Sequence, residues 1–233
     1  MGNRLNKYFI NGVKESYPIV LGYLPIGIAF GVLASSVGIS PLGVLFISLV
    51  LFAGSAQFIT VSMLASLASG VSIIMTIFVV NFRHFLMSSS YSKYFKKENN
   101  RTLAFMAFFV TDESFAIGIN KARYDEESFN KDYLLGVELT GYFSWALFTT
   151  LGAMLGGFIP DFRVLGLDFA LPAMFIGLLA LLIKSKRDLL ACVLAGVLAV
   201  VLTLTPIKSY SVIISSVVVS LLLVGGRYDS VDE

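Results

Sequence analysis

Hydrophobic and polar positions along this chain separate into long apolar runs joined by short charged links. Apolar runs cover about Tyr17–Val37, Pro41–Ser69, Gly70–Tyr91, Thr102–Asn120, Tyr133–Gly157, Gly166–Ile183, Leu189–Leu204 and Ser211–Val224. Runs of about 17 to 25 apolar residues match the length that spans a bilayer as a helix. The pattern therefore predicts an all-α, polytopic membrane protein with six to eight hydrophobic segments in one integral domain, residues 1–233. A transmembrane barrel would show short alternating segments instead.

Two runs are unusual. Pro41–Ser69 would be about 44 Å long as one straight helix, against a hydrocarbon core of about 30 Å. Its centre, Phe52-Ala-Gly-Ser-Ala-Gln-Phe58, is small and polar, and an unbonded amide such as Gln57 is expensive in hydrocarbon. The run is therefore expected to tilt steeply or to break near Gly54. A break leaves half-helices whose free N–H and C=O ends can face a substrate. The Thr102–Asn120 run carries Thr111-Asp-Glu-Ser114 at its centre, so a broken or re-entrant helix is expected near 112 as well. Pro18, Pro25, Gly22, Gly27 and Gly31 predict a kinked first segment with a flat packing face. Residues 1–16 read as an interfacial lead-in, and the apolar run after Pro18 continues too far for a cleavable signal.

Composition sharpens this class. Of 233 residues, 57% are hydrophobic and 14% charged, and the mean hydropathy is +0.84, whereas soluble domains carry about 25% charged residues. The net charge of +2 gives no argument for nucleic acid, and the single cysteine, Cys192, excludes an internal disulfide or a cysteine metal cluster. With the N-terminus, 93–101, 121–131, 184–187 and the C-terminus on the cytoplasmic side, 14 of the 17 basic residues lie inside. That parity requires two runs to enter and leave on one side, and 41–69 and 102–120 are the candidates.

Candidate chemistry sits at these polar centres. Gly54, Ser55 and Gln57 are candidate substrate ligands, against the alternative of helix packing through small residues. Asp112 and Glu113 are candidates for binding a substrate ammonium or a coupling proton, against an ion pair with Arg83 or a helix cap. Asn81 is a further substrate candidate. His84, the only histidine, can titrate near neutrality and is a proton-coupling candidate. Arg83 reads either as a carboxylate ligand or as a snorkelling boundary residue. Pro25, Arg83 and Asp168 are candidates for structural or gating roles, Asp168 as an N-cap. Glu138 is placed just inside the membrane and Trp145 in packing.

Enzyme readings fare poorly. Gly54-Ser-Ala-Gln57 lacks the second glycine of a nucleophile elbow, Asp125 lies in a polar loop, and no phosphate-binding glycine loop is present. No metal site or cofactor is indicated.

Five stretches together resemble the AzlC family, the larger subunit of bacterial branched-chain amino acid exporters. They are Leu24-Pro-Ile-Gly-Ile-Ala-Phe-Gly31, Phe52–Phe58, Asn81-Phe-Arg-His84, Thr111-Asp-Glu-Ser-Phe115 and Gly166-Leu-Asp-Phe-Ala170, in the family's order. The resemblance implies secondary export of leucine, isoleucine, valine or similar amino acids, with methionine a further candidate. It also implies a small AzlD-like membrane subunit as partner, and the bacterial cytoplasmic membrane as location, with both termini cytoplasmic. A non-transporting scaffold or sensor subunit and an ion channel are the alternatives from other classes.

Overall fold

The computed structural model describes residues 2–156, 158, 176, 179–180, 183, 185–205 and 211–225. Among these, all regular structure is helical: α1 (Gly2–Glu15), α2 (Tyr17–Ser36), α3 (Pro41–Val50), α4 (Gly54–Ala65), α5 (Gly70–Tyr91), α6 (Asn100–Phe109), α7 (Asp112–Tyr124), α8 (Lys131–Gly156), α9 (Lys186–Thr203) and α10 (Ser211–Gly225). Two of them, α2 and α5, are by themselves long and apolar enough to cross a bilayer. The run around Gly166 and Asp168 lies outside the described residues.

Two compact units are present, Met1–Leu178 and Leu179–Glu233. In the second, α9 starts with a reciprocal cap: Ser185 N–H donates to Asp188 Oδ2 at 2.9 Å, and Asp188 N–H to Ser185 Oγ at 3.1 Å. It packs against α10.

The first unit is built around α2 and α8, which run side by side in the same direction. Gly27 abuts Phe148 and Thr149, Gly31 abuts Thr149 to Ala153, and Gly156 abuts Val32 and Ser35, so residue numbers rise together along both helices. Two small-xxx-small pairs, Gly27/Gly31 and Gly152/Gly156, face each other and let the backbones touch. The lead-in helix α1 extends this contact, with Gly12 against Tyr133 and Val137 and Gly136 against Phe9 and Val13. It is packed into the unit along α8. Helix α2 continues through Pro25, which sits on its exposed face.

Both unusual runs are broken, and both double back. Ser40 caps α3, with Pro41 in its first turn and Gly43 N–H donating to Ser40 Oγ at 3.2 Å. From there α3 descends along α8: Val44 packs near Ala153, Ser48 Oγ is 2.8 Å from Thr149 Oγ1, and Phe52 stacks edge-on against Tyr142. After the extended residues 51–53, α4 starts at Trp145 and climbs back, so that Val61 rejoins Phe30, Ala34, Val44 and Ala153 in one cluster. The second hairpin comes from the opposite end. Its outer ends meet where Phe95 packs on Phe129 and Lys131 pairs with Glu98 at 3.0 Å. Its inner end reaches Tyr142 through Phe109 and Tyr23 through Thr111.

Helix α5 joins the two ends and runs antiparallel to α8: Arg83 lies level with Ser55, and Tyr91 reaches the middle of α7 near the start of α8. The order is thus a long helix, a ten-residue half-helix, a break and a second half-helix, then the same order inverted. Phe52–Phe58 and Phe109–Phe115 occupy corresponding positions, each a seven-residue stretch bounded by phenylalanines.

Candidate functional site

The breaks exist because their backbone groups find other partners. An amide at mid-depth was the puzzle of the first broken run, and its geometry answers it. Gln57 is fully buried; its Nε2 donates to the Leu51 carbonyl at 2.5 Å, and its Oε1 accepts from Trp145 Nε1 at 3.0 Å. The Tyr142 hydroxyl donates to the Leu49 carbonyl at 2.9 Å. Two carbonyls freed at the end of α3 are thereby satisfied, as a helix end away from water requires. The start of α4 differs: Ala53 is its N-cap residue, and no side chain caps the first-turn N–H groups. They form the positive end of the helix dipole.

In the second break, Thr111 and Ser114 cap α7 reciprocally; Thr111 N–H donates to Ser114 Oγ at 2.9 Å and Ser114 N–H to Thr111 Oγ1 at 3.3 Å. Asp112 and Glu113 fill the first turn, where the dipole favours negative charge. The Tyr23 hydroxyl donates to Glu113 Oε2 at 2.7 Å and lies 3.1 Å from Thr111 Oγ1. Asp112 Oδ2 is 2.7 Å from Arg83 Nη1, and Arg83 Nη2 donates to Ser55 Oγ at 2.5 Å. One guanidinium therefore bridges the inner ends of both hairpins.

Gly54, Ser55, Arg83, His84, Asp112 and Glu113 surround one cavity, closed by Tyr23, Phe52, Thr111 and Trp145. Its volume is about 10 Å³, room for one water. Gly54 is where the indole packs, with a Cβ there falling 3.1 Å from Trp145 Cη2. Gln57 stands behind the wall with both amide ends engaged. Asn81, two residues before Arg83, does not line the cavity, and its Oδ1 is buried with no hydrogen-bond partner among the described residues. Asp168 lies outside the described residues. Tyr23 and Trp145 carry no site signal in the sequence: aromatic side chains in apolar runs read as packing, and only their polar tips tie them to Glu113 and Gln57.

Larger cavities lie elsewhere. One of about 300 Å³ is an apolar groove among α5, α6 and α8, and one of about 560 Å³ sits among Lys93, Lys96, Lys97 and Lys131. Neither touches the Arg83–Asp112 pair. Among the described residues no group of three or more His, Cys, Asp or Glu side chains is placed to hold a metal ion.

The family model described as AzlC protein matches residues 18–159, which include both hairpins, α5 and α8. The chain belongs to the AzlC family. The inner membrane protein YgaZ of Escherichia coli is 32% identical over 82% of this chain and 80% of its own length. A membrane protein of Archaeoglobus fulgidus is 34% identical over 88% of this chain and 89% of its own. The branched-chain amino acid transport protein AzlC of Bacillus subtilis is 28% identical over 72% of this chain and 65% of its own. No solved structure matches. Membership of the AzlC family places the chain in a membrane and supports a transport role rather than an enzymatic one.

Proposed function

We propose that this chain is a secondary exporter of branched-chain amino acids, acting with a small AzlD-like membrane subunit in the bacterial cytoplasmic membrane. The observation that carries the reading is the Arg83–Asp112 pair at the meeting point of two opposed half-helix hairpins. A zwitterion can divide that pair. Its carboxylate takes Arg83 and the uncapped start of α4, and its ammonium takes Asp112, while Glu113 or His84 carries a coupling proton. Leucine, isoleucine and valine supply those two charges with an apolar side chain suited to Phe52 and Trp145. Asn81 joins the polar ligands once the site opens.

A cavity of about 10 Å³ does not admit an amino acid, so transport requires one hairpin, then the other, to withdraw. Hairpins entering from opposite ends suit alternating access of this kind. The end that gathers Lys93, Lys96, Lys97 and Lys131 is the cytoplasmic one by the positive-inside rule, and the N-terminal helix belongs to it. The kinship with the Bacillus subtilis transport protein supports the substrate class.

The test is efflux of radiolabelled leucine from proteoliposomes, with and without the small subunit, under an imposed pH gradient. Saturable, subunit-dependent efflux that Asp112→Asn abolishes is the expected result. Absence of flux from folded protein under every gradient would sink the reading.

A further inference from the structure

Glu138, on α8, stands apart from the site just described. It is 1% exposed, and neither carboxylate oxygen has a hydrogen-bond partner among the described residues. Other buried polar side chains near the hairpins have a clear reason to be there: Gln57 holds a break, Ser114 caps a helix, Thr149 bonds Ser48. Glu138 does none of these things.

Its surroundings are specific. It lies seven positions before Trp145, which places it on the same face of α8, about 10 Å along the axis from the cavity wall. The offset is toward the α8 start, the end with Lys131. Gly136, two residues away, faces α1, so Glu138 points away from that helix. From α5, Tyr91 lies within electrostatic reach, but its hydroxyl donates to the Ser114 and Phe115 carbonyls, each at 3.2 Å. The remaining ionisable groups on neighbouring helices are engaged elsewhere or exposed. Tyr23 of α2 holds Glu113, Lys121 of α7 pairs with Glu15 of α1, Asp112 of α7 pairs with Arg83 of α5, and Arg101 of α6 is exposed. Among the described residues no cation faces Glu138.

An ionised carboxylate sealed from water without a counter-ion costs many kcal/mol, and such groups neutralise instead. A leucine or glutamine would fill the place at lower cost. We propose that Glu138 is a proton-binding site in its own right, the inner station of a coupling path that leads toward Glu113. This rests on the transport reading above. In the conformation described it holds a proton on its carboxyl. When the α6–α7 hairpin withdraws and admits water, the O–H bond breaks, the proton passes to that water, and the carboxylate left behind is solvated until it is reloaded.

Two measurements on the full chain decide it. In lipid nanodiscs at neutral pH, infrared difference spectra between wild type and Glu138→Gln should show the C=O stretch of a protonated carboxyl in the wild type alone, with Asp112→Asn retaining it. A wild type without that band, or a Glu138→Gln protein that keeps it, overturns the proposal. In proteoliposomes carrying a pH-sensitive dye, Glu138→Gln should keep leucine exchange while gradient-driven flux and its proton movement are lost, as expected on removing an intramembrane relay carboxyl. Glu138→Asp, which keeps the acid, should restore the driven flux. Equal loss of exchange and driven flux in Glu138→Gln, unrestored by Glu138→Asp, would make the residue structural and overturn the coupling role. Should the wild type move no leucine, the transport reading fails and the infrared band still decides whether Glu138 binds a proton.

Discussion

Arg83 and Asp112 are joined at 2.7 Å across the gap between α5 and the start of α7, with about a quarter of each side chain exposed. The same guanidinium reaches Ser55 at the start of α4. Removing either side chain deprives the other of the opposite charge 2.7 Å from it, which costs more than removing both. Arg83→Ala and Asp112→Ala should each destabilise the protein, and the double variant should be no worse than the worse single. A double-mutant cycle on thermal unfolding in detergent should give a coupling energy of about 0.5–3 kcal/mol. Strict additivity would show that the pair does not act as a unit.

The Trp145–Gln57 bond supports the first break from behind. Trp145→Phe deletes the indole N–H and leaves Gln57 Oε1 buried without its donor, at a cost of about 1–3 kcal/mol. Because Gln57 also holds the Leu51 carbonyl, Gln57→Leu in the same background should not rescue stability and should lower it further. Melting temperatures of the three proteins, ordered wild type, single, double, check this. A rescued double variant would mean that the amide serves Trp145 and not the break.

Two glycines on α2 should respond with opposite sign to the same change. A Cβ at Gly31 would run into the Thr149 carbonyl and the Ala153 backbone, neither of which can swing aside. Gly31→Ala should cost about 1–3 kcal/mol or more. Nothing lies within 4 Å of a Cβ at Gly22, so Gly22→Ala should be neutral or stabilise by up to about 1 kcal/mol through helix propensity. Paired thermal-shift measurements separate them.

In the loop after α7, Ser128 N–H bonds Asp125 at 3.3 Å and Lys121 pairs with it at 3.2 Å. These two, in that order, hold the Asp125 carboxyl below the usual carboxylate value of 3.8. The folded protein binds that proton less readily than the unfolded chain. The stabilisation is therefore complete above the ordinary value and disappears as pH falls through the lowered one. Asp125→Asn should flatten the acid limb of a melting-temperature profile as pH falls below the usual carboxylate value of 3.8. An unchanged limb would show that neither bond persists in solution.

The helical class and the two broken runs were legible because hydropathy and length alone set them. A 29-residue run from Pro41 to Ser69 around Gly-Ser-Ala-Gln must tilt steeply or break to fit a bilayer, and the structure breaks it at 51–53. Thr111 with Asp112 likewise marks the second break. Three-dimensional partners were not legible. Tyr23 meets Glu113 across 90 residues and Gln57 meets Trp145 across 88, and apolar periodicity names a face but never the residue opposite. Arg83 and Asp112 were each readable as charges in hydrocarbon, with their pairing left open until the fold closed it. The inverted repeat escaped notice because Phe52–Phe58 and Phe109–Phe115 share only their bounding phenylalanines. Glu138 looked like a boundary residue because it stands near the start of its run, just after Lys131 and Asp132; its burial shows only in the fold, where Tyr91 of α5 comes within electrostatic reach.

The glycine seam between α2 and α8 restricts what can move. Along that seam, backbone atoms of one helix occupy the hollows of the other at four successive levels, so a slide by one turn would drive side chains into main chain. These two helices therefore behave as a welded post. Cross-linking them should leave turnover intact, whereas fastening either hairpin to the post should arrest it. In the proposed exporter the glycine seam is the stator.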